Sequence, residues 1–207
     1  MGLGKFVASQ LRKPSGLFGR LVVARVLNRG NAPMNELTVK LLQLRSDDQV
    51  LEVGFGGGDL INRLAPIVTR GRIVGVDFSP EMTALCARRF AELIKIGRIE
   101  LRTASVADLP YASHAFTKAC TVNTIYFWPD PVASLKELWR TLRKGGRLVV
   151  GFNTKATAEK LPYTRHGFTL YDPDQVEALL KQADFRDIQM MSGSTRLGQF
   201  VCAVGIK

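Results

Sequence analysis

Residues 50–60 read V-L-E-V-G-F-G-G-G-D-L. Gln49 to Val53 is a short apolar run carrying one acid, Glu52, and glycines follow at 54, 56, 57 and 58. Residues 60–68 are apolar at helical spacing. The order is buried strand, glycine-rich turn, helix. Glycine lets a ligand approach the backbone and reaches positive φ at no steric cost. The first amide hydrogens of the next helix lack intrahelical acceptors, so they are expected to face whatever binds there. The spacing departs from G-x-G-x-x-G, because Asp59 stands where the third glycine would be. What remains is E-x-G-x-G-x-G, from Glu52 to Gly58.

The chain has 207 residues, enough for one domain with a full core. No apolar run approaches the ~20 residues that span a bilayer, and the N-terminus lacks a secretory signal pattern. Three cysteines, Cys86, Cys120 and Cys202, show no metal spacing. Their odd count points to a reduced, cytoplasmic chain without disulfides. Cys120 and Cys202 lie in apolar runs and read as small core residues. His114 and His166 stand alone, so no metal site is expected. The net charge of +11 raises anionic partners as a class. The basic residues are spread along the chain without interleaved aromatics, which argues against nucleic acid.

Residues 1–30 hold Lys5, Arg12, Lys13, Arg20, Arg25 and Arg29 and no acid, with apolar residues between them. Pro14-Ser15-Gly16 splits this basic amphipathic stretch. It reads as a helical cap over the ligand cleft, within a segment 1–45 that precedes a domain over 46–207. The alternative is weak contact with an anionic membrane surface. A turn-rich loop is expected over 28–35 and a helix over 36–44.

Past the glycines, 72–76 is a strand that ends at Asp77. An acid there, about 20 residues on, can accept from both hydroxyls of a ribose. Ser79 and Pro80 suit the N-cap and first turn of a helix running to about residue 94. Residues 98–103 form a third strand and 116–123 a fourth. Ligands of open α/β sheets bind beyond the carboxyl ends of strands, where the strand order switches. Asn123, Tyr126 and Trp128 therefore belong to the site. Residues 132–142 read as a helix, with Gly145 in its left-handed C-terminal turn, and 148–152 as a fifth strand. A partly helical insertion over 153–169 carries Tyr163, Arg165 and His166. A helix over 171–183, capped by Asp172, precedes strands at 186–191 and 199–206, joined by Ser192-Gly193-Ser194.

Three strings together carry a family likeness: E-V-G-F-G-G-G at 52–58, V-D-F-S-P-E-M at 76–82 and L-W-R-T-L-R-K-G-G-R-L-V-V-G-F at 138–152. They resemble the class I S-adenosylmethionine-dependent methyltransferases, in the bacterial small-molecule group that includes the ubiquinone and menaquinone biosynthesis enzymes. The resemblance implies an α/β, Rossmann-like doubly wound sheet of seven strands, order 3-2-1-4-5-7-6 with strand 7 antiparallel. It implies S-adenosylmethionine as methyl donor, S-adenosylhomocysteine as product, and in-line transfer to a small acceptor at O, S, N or C. Glu52 would then meet the methionyl portion and Gly54, Gly56 and Gly58 would give backbone access. Asp77 would hold the ribose, and Phe78 would lie on the adenine face. The family's adenine-binding acid is replaced by Ser105, with Val106 supplying an N–H, and Asp108 would brace that loop. Asn123 and Tyr126 would stand near the transferred methyl, and Tyr163 and His166 are the candidate proton acceptors. The aromatic surroundings favour a fairly hydrophobic or soft acceptor. Two alternatives stay open: an NAD(P)-binding oxidoreductase, and a non-catalytic cofactor-binding module held at an anionic membrane through residues 1–30.

Overall fold

The computed structural model describes residues 7–8 and 31–207. The basic cap expected over 1–30 therefore lies outside the described residues, apart from that dipeptide. Seven strands form one sheet of order β3-β2-β1-β4-β5-β7-β6. They are β1 (Gln49–Val53), β2 (Arg72–Asp77), β3 (Ile99–Thr103), β4 (Phe116–Val122), β5 (Leu142–Asn153), β6 (Arg186–Thr195) and β7 (Gly198–Ile206). The first five pair in parallel, whereas β7 is antiparallel to both β5 and β6. The expected architecture is thus the observed one.

Alternation sorts the strands' side chains onto two faces. Val50, Cys120, Val149 and Cys202 pack with α1 (Ala32–Leu42), α2 (Asp59–Leu64) and α3 (Pro80–Arg89). Leu51, Ala119, Val150 and Ala203 pack with α5 (Pro131–Thr141) and α7 (Pro173–Gln182). Between these come α4 (Ala91–Lys95) and α6 (Lys155–Ala158). All three cysteines are buried and unpaired. Among the described residues no helix is long and apolar enough to cross a membrane.

Several boundaries differ from expectation for physical reasons. The loop expected over 28–35 is helical from Ala32, because Pro33 sits in the first turn, where its missing N–H costs nothing. Helix α1 buries Met34, Asn35, Thr38 and Leu42, so it is part of the core. Helix α2 stops at Leu64, since Pro66 cannot supply the next amide. The helix expected to reach residue 94 breaks at Phe90 (φ −110°, ψ 21°), whose ring turns onto Gly58. Ser79 caps α3 as read, accepting from the Met82 N–H at 3.3 Å. Asp172 caps α7 in a reciprocal box with Gln175.

The largest difference is in β5. Residues 142–147 do not close the preceding helix; they are strand, with Leu142 opposite Phe116 and Arg147 opposite Ile206. Gly145 is left-handed (φ +74°), but its N–H meets Lys207 O at 2.9 Å, so pairing with the chain's last strand wins over a cap. The hairpin turn is also displaced. Gly193 lies within β6 opposite Phe200, and a Cβ there would fall 2.2 Å from that ring. The turn itself is Arg196-Leu197, between the Thr195–Gly198 pair.

Candidate active site

A cavity of about 530 Å³ opens beyond the carboxyl ends of β1 and β4, where the strand order reverses. Its two halves differ in chemistry.

The first half is built from the turn after β1. Gly54 (φ +75°) lies under Thr124, and a Cβ would fall 2.2 Å from Thr124 Cγ2. Gly58 (φ +75°) lies under Phe90 and Cys86, so α3 can close on the turn only over a glycine. Gly56 (φ +49°) has nothing within 4 Å of its Cβ direction and offers open backbone. The amide hydrogens of all three are already spent: Gly54 on Val76 O (2.7 Å), Gly58 on Phe55 O (2.8 Å) and Gly56 on Asp77 Oδ2 (2.9 Å). These three amides hold the turn itself; the amides expected to face a ligand, those that open α2, are other groups. The glycines give access and packing, not donors.

Three carboxylates line this half, Glu52, Asp59 and Asp77, and among the described residues no cationic side chain lines the cavity. Asp59 is occupied by Asn35 Nδ2 and Arg63 Nε, both at 2.9 Å. Asp77 accepts from the Gly56 and Ser79 amides at 2.9 Å each, which leaves every oxygen one further acceptor position. Burial raises its pKa, against the pull of those two amides. Glu52 is buried, and its Oε2 has no hydrogen-bond partner among the described residues. Burial first, then the charges of Asp77 and Asp59, push its pKa up to about 8. A buried polar atom without a partner is costly, and a donor or cation delivered by a ligand removes the cost. An acidic pocket that no cationic side chain lines, among the described residues, suits a ligand bearing positive charge and hydroxyls. It suits a pyrophosphate poorly.

The second half is apolar and aromatic. Phe127 and Phe168 stack edge to face with centroids 4.5 Å apart, and Tyr126 and Tyr163 flank Phe168 at 5.8 and 6.0 Å. Trp128, Leu161 and Leu197 complete the wall. Among the described residues no charged side chain lines this half. Its polar groups form a closed network at the ends of β4 and β5. Tyr126 OH accepts from the Asn153 N–H and donates to Asn123 Oδ1 at 3.0 Å. Asn123, held at φ +57°, donates to Asn31 Oδ1 at 2.8 Å.

Most residues singled out in the sequence meet here: Glu52, Gly54, Gly56, Asp77, Phe78, Ser105, Val106, Asn123, Tyr126 and Tyr163 all line the cavity, whereas Gly58 lies beneath Phe90 and Cys86 and does not. Phe78 is 43% exposed at its edge, free to lie on a ligand face. Ser105 Oγ accepts from the Ala107 N–H at 3.2 Å, and Asp108 braces the same turn against Ser105. His166 is exposed at the end of a 3₁₀ turn (Pro162–Arg165) and does not line the cavity, so the structure does not bring it to the site. Sequence reasoning gave no individual role to Asn31, Asn35, Thr124, Asn153 and Phe168, which also line the cavity. Asn31 and Asn35 looked like turn residues, and nothing local reveals that α1 delivers them to the cavity.

A model of the methyltransferase domain matches residues 51–150. The chain is 26% identical to an uncharacterized methyltransferase, YdaC of Bacillus subtilis, over 90% of this chain and 98% of that protein. It is 31% identical to the ubiquinone/menaquinone biosynthesis C-methyltransferase UbiE of Geotalea daltonii, over 61% of this chain and 54% of that protein. The chain thus spans about half of that relative. Among solved structures, a SAM-dependent methyltransferase from Aquifex aeolicus aligns with a TM-score of 0.71 at 18% identity, over 89% of this chain and 97% of that one. The [4+2]-cyclase SpnF aligns with 0.73 at 18% identity, over 84% and 80%. The likeness to these structures is one of fold.

Proposed function

The chain belongs to the class I S-adenosylmethionine-dependent methyltransferases, and we propose that it methylates a small, apolar acceptor whose nucleophilic atom needs no base from the protein. The observation that carries this reading is the uncharged, aromatic acceptor half of the cavity.

The residues fit the donor. Asp77 would take the ribose hydroxyls with its remaining acceptor positions, and the unpartnered Glu52 Oε2 would take the methionyl ammonium, directly or through water. Phe78 would cover one face of the adenine, with Ser105 and Val106 at its edge. S-adenosylmethionine, when bound, supplies a methyl group already activated by a sulfonium. The chain's own task is then to position two reactants and exclude water. Tyr126, Phe127, Trp128 and Phe168 do both, since aromatic faces favour a cation and repel bulk solvent. An NAD(P) reading lacks support: the three carboxylates Glu52, Asp59 and Asp77 would repel a pyrophosphate, and among the described residues no cationic side chain lines the cavity to offset them.

Among the described residues, the acceptor side has no group fitted to remove a proton. The Tyr126 hydroxyl is closed into its hydrogen-bond network, and burial pushes its pKa well up. Tyr163 is also pushed up by burial. We therefore assign Tyr126 and Asn123 to shaping the transfer point and Tyr163 to walling it. Thiols that ionise near neutral pH, thioethers, and carbon acids already activated by conjugation meet this demand. The name of the UbiE relative, a C-methyltransferase, is consistent with the last class. The test is a panel of aromatic thiols, conjugated carbon acids, phenols, primary alcohols and amines, scored by S-adenosylhomocysteine release. Turnover confined to low-pKa thiols or carbon acids supports the reading. Turnover confined to alcohols or to charged acceptors overturns it.

A further inference from the structure

The end of the sheet away from the catalytic cavity holds a second concavity, also of about 530 Å³. Arg45 follows α1, Lys118 lies on β4, and Arg143 and Lys144 open β5; all four line it, with Gly145 and Gly146. One carboxylate, Asp48, stands among them, and it is already occupied. Its oxygens accept from the Arg45 N–H and from Thr117 Oγ1, both at 2.6 Å. Among the described residues none of the four cations has an ion-pair partner.

Lys118 makes the arrangement more than a basic surface. It is half-buried, paired in register with Val50 on one side and Arg147 on the other. Burial lowers its pKa, and Arg147 and Arg45 add to that lowering while Asp48 opposes it. Arg143 is anchored through Nε on His114 O at 3.2 Å, which leaves its two terminal nitrogens free to donate. Gly145 has nothing within 4 Å of its Cβ direction, so the mouth stays open beside the guanidinium. Like charges gathered in a concave site repel one another, and an oxyanion with several acceptors relieves that repulsion. Arginine forks and a lysine point charge together match phosphate geometry.

We propose that this basic cavity binds a phosphate-bearing anion carrying a diphosphate or a comparable charge, at the opposite end of the sheet from methyl transfer. The site does not depend on the acceptor reading above. Phosphate of this kind comes either from a soluble small molecule or from a lipid headgroup.

The experiment is calorimetric titration of the full chain with inorganic pyrophosphate at low salt. Saturable one-site binding that weakens steeply as salt rises is expected. Arg143→Gln with Lys144→Gln, both exposed and so compatible with folding, should weaken it by at least ~10-fold. Lys118→Gln should weaken it similarly, while S-adenosylhomocysteine affinity stays unchanged in every variant. Absence of saturable pyrophosphate binding overturns the proposal, as does equal affinity in parent and double variant. Vesicles containing phosphatidic acid identify the source while the site stands. Flotation that pyrophosphate competes away and the double variant loses supports a headgroup. No flotation supports a soluble phosphate.

Discussion

The Gly56 amide donates to Asp77 Oδ2 at 2.9 Å, tying the turn after β1 to the tip of β2. The same carboxylate takes the Ser79 amide that opens α3. Asp77 thus holds two loops before any ligand arrives. Asp77→Ala should lower S-adenosylhomocysteine affinity by ~1–3 kcal/mol, the range for losing a charged hydrogen-bond partner. Calorimetry on the folded variant checks this, and an undiminished affinity would remove Asp77 as the ribose ligand.

Glu52 gives a pH signature. Its folded pKa lies near 8 against an ordinary 4.5, so between those values the folded chain keeps a proton that the unfolded chain has lost. Stability should therefore fall as pH rises through that window, and be unaffected by this group below it. Glu52→Gln should abolish that slope and be more stable than the parent at pH 8, by an amount on the order of a few kcal/mol. Chemical denaturation at pH 5 and pH 8 reads the difference. The same group predicts proton release when a cationic ligand binds at pH 7. Calorimetry in buffers of different ionisation enthalpy would show it as a buffer-dependent heat.

Two glycines of one turn should respond differently to alanine. Gly56→Ala meets open space and pays only for the left-handed backbone, ~1–2 kcal/mol. Gly54→Ala adds a 2.2 Å encounter with Thr124 Cγ2, so its loss should be distinctly larger. Thr124→Ser removes that methyl and should recover the excess without recovering the backbone part. A double-mutant cycle by thermal unfolding gives the coupling directly.

Tyr126→Phe removes the hydroxyl shared by Asn123 and Asn153 and leaves a backbone N–H without its acceptor. A loss of ~1–3 kcal/mol in stability is expected from that stranded donor. His166→Ala, at an exposed position outside the cavity, should leave both stability and methyl transfer within experimental scatter. A large activity loss in the histidine variant would show that His166 reaches the cavity during turnover.

Local chemistry announced much of this molecule. The run from Gln49 to Gly58, the Ser79-Pro80 start of α3 and the Asp172 cap were legible because each depends on neighbours in sequence. The misreadings share a cause. Lys144-Gly145-Gly146 looks like a helix end until Lys207 pairs with it, and Ser192-Gly193-Ser194 looks like a turn until Phe200 needs the space. In both, a distant strand overrides a local signal. The cavity followed the same rule: its acidic half was readable from strand tips. Its asparagine network depends on α1 crossing the end of β4, which no short stretch records.

The cavity stands where β1 meets β4, two strands whose contacting residues Leu51 and Cys120 are 69 apart in the chain. Closing so long a loop costs more chain entropy than forming the local helices or the β1–β2 unit. The aromatic residues that follow β4 cannot meet the acidic half of the cleft before that closure, so a partly unfolded chain offers the cofactor an incomplete site. Cofactor concentration would then act as a quality gauge, protecting from proteolysis only those chains that have completed the central pairing.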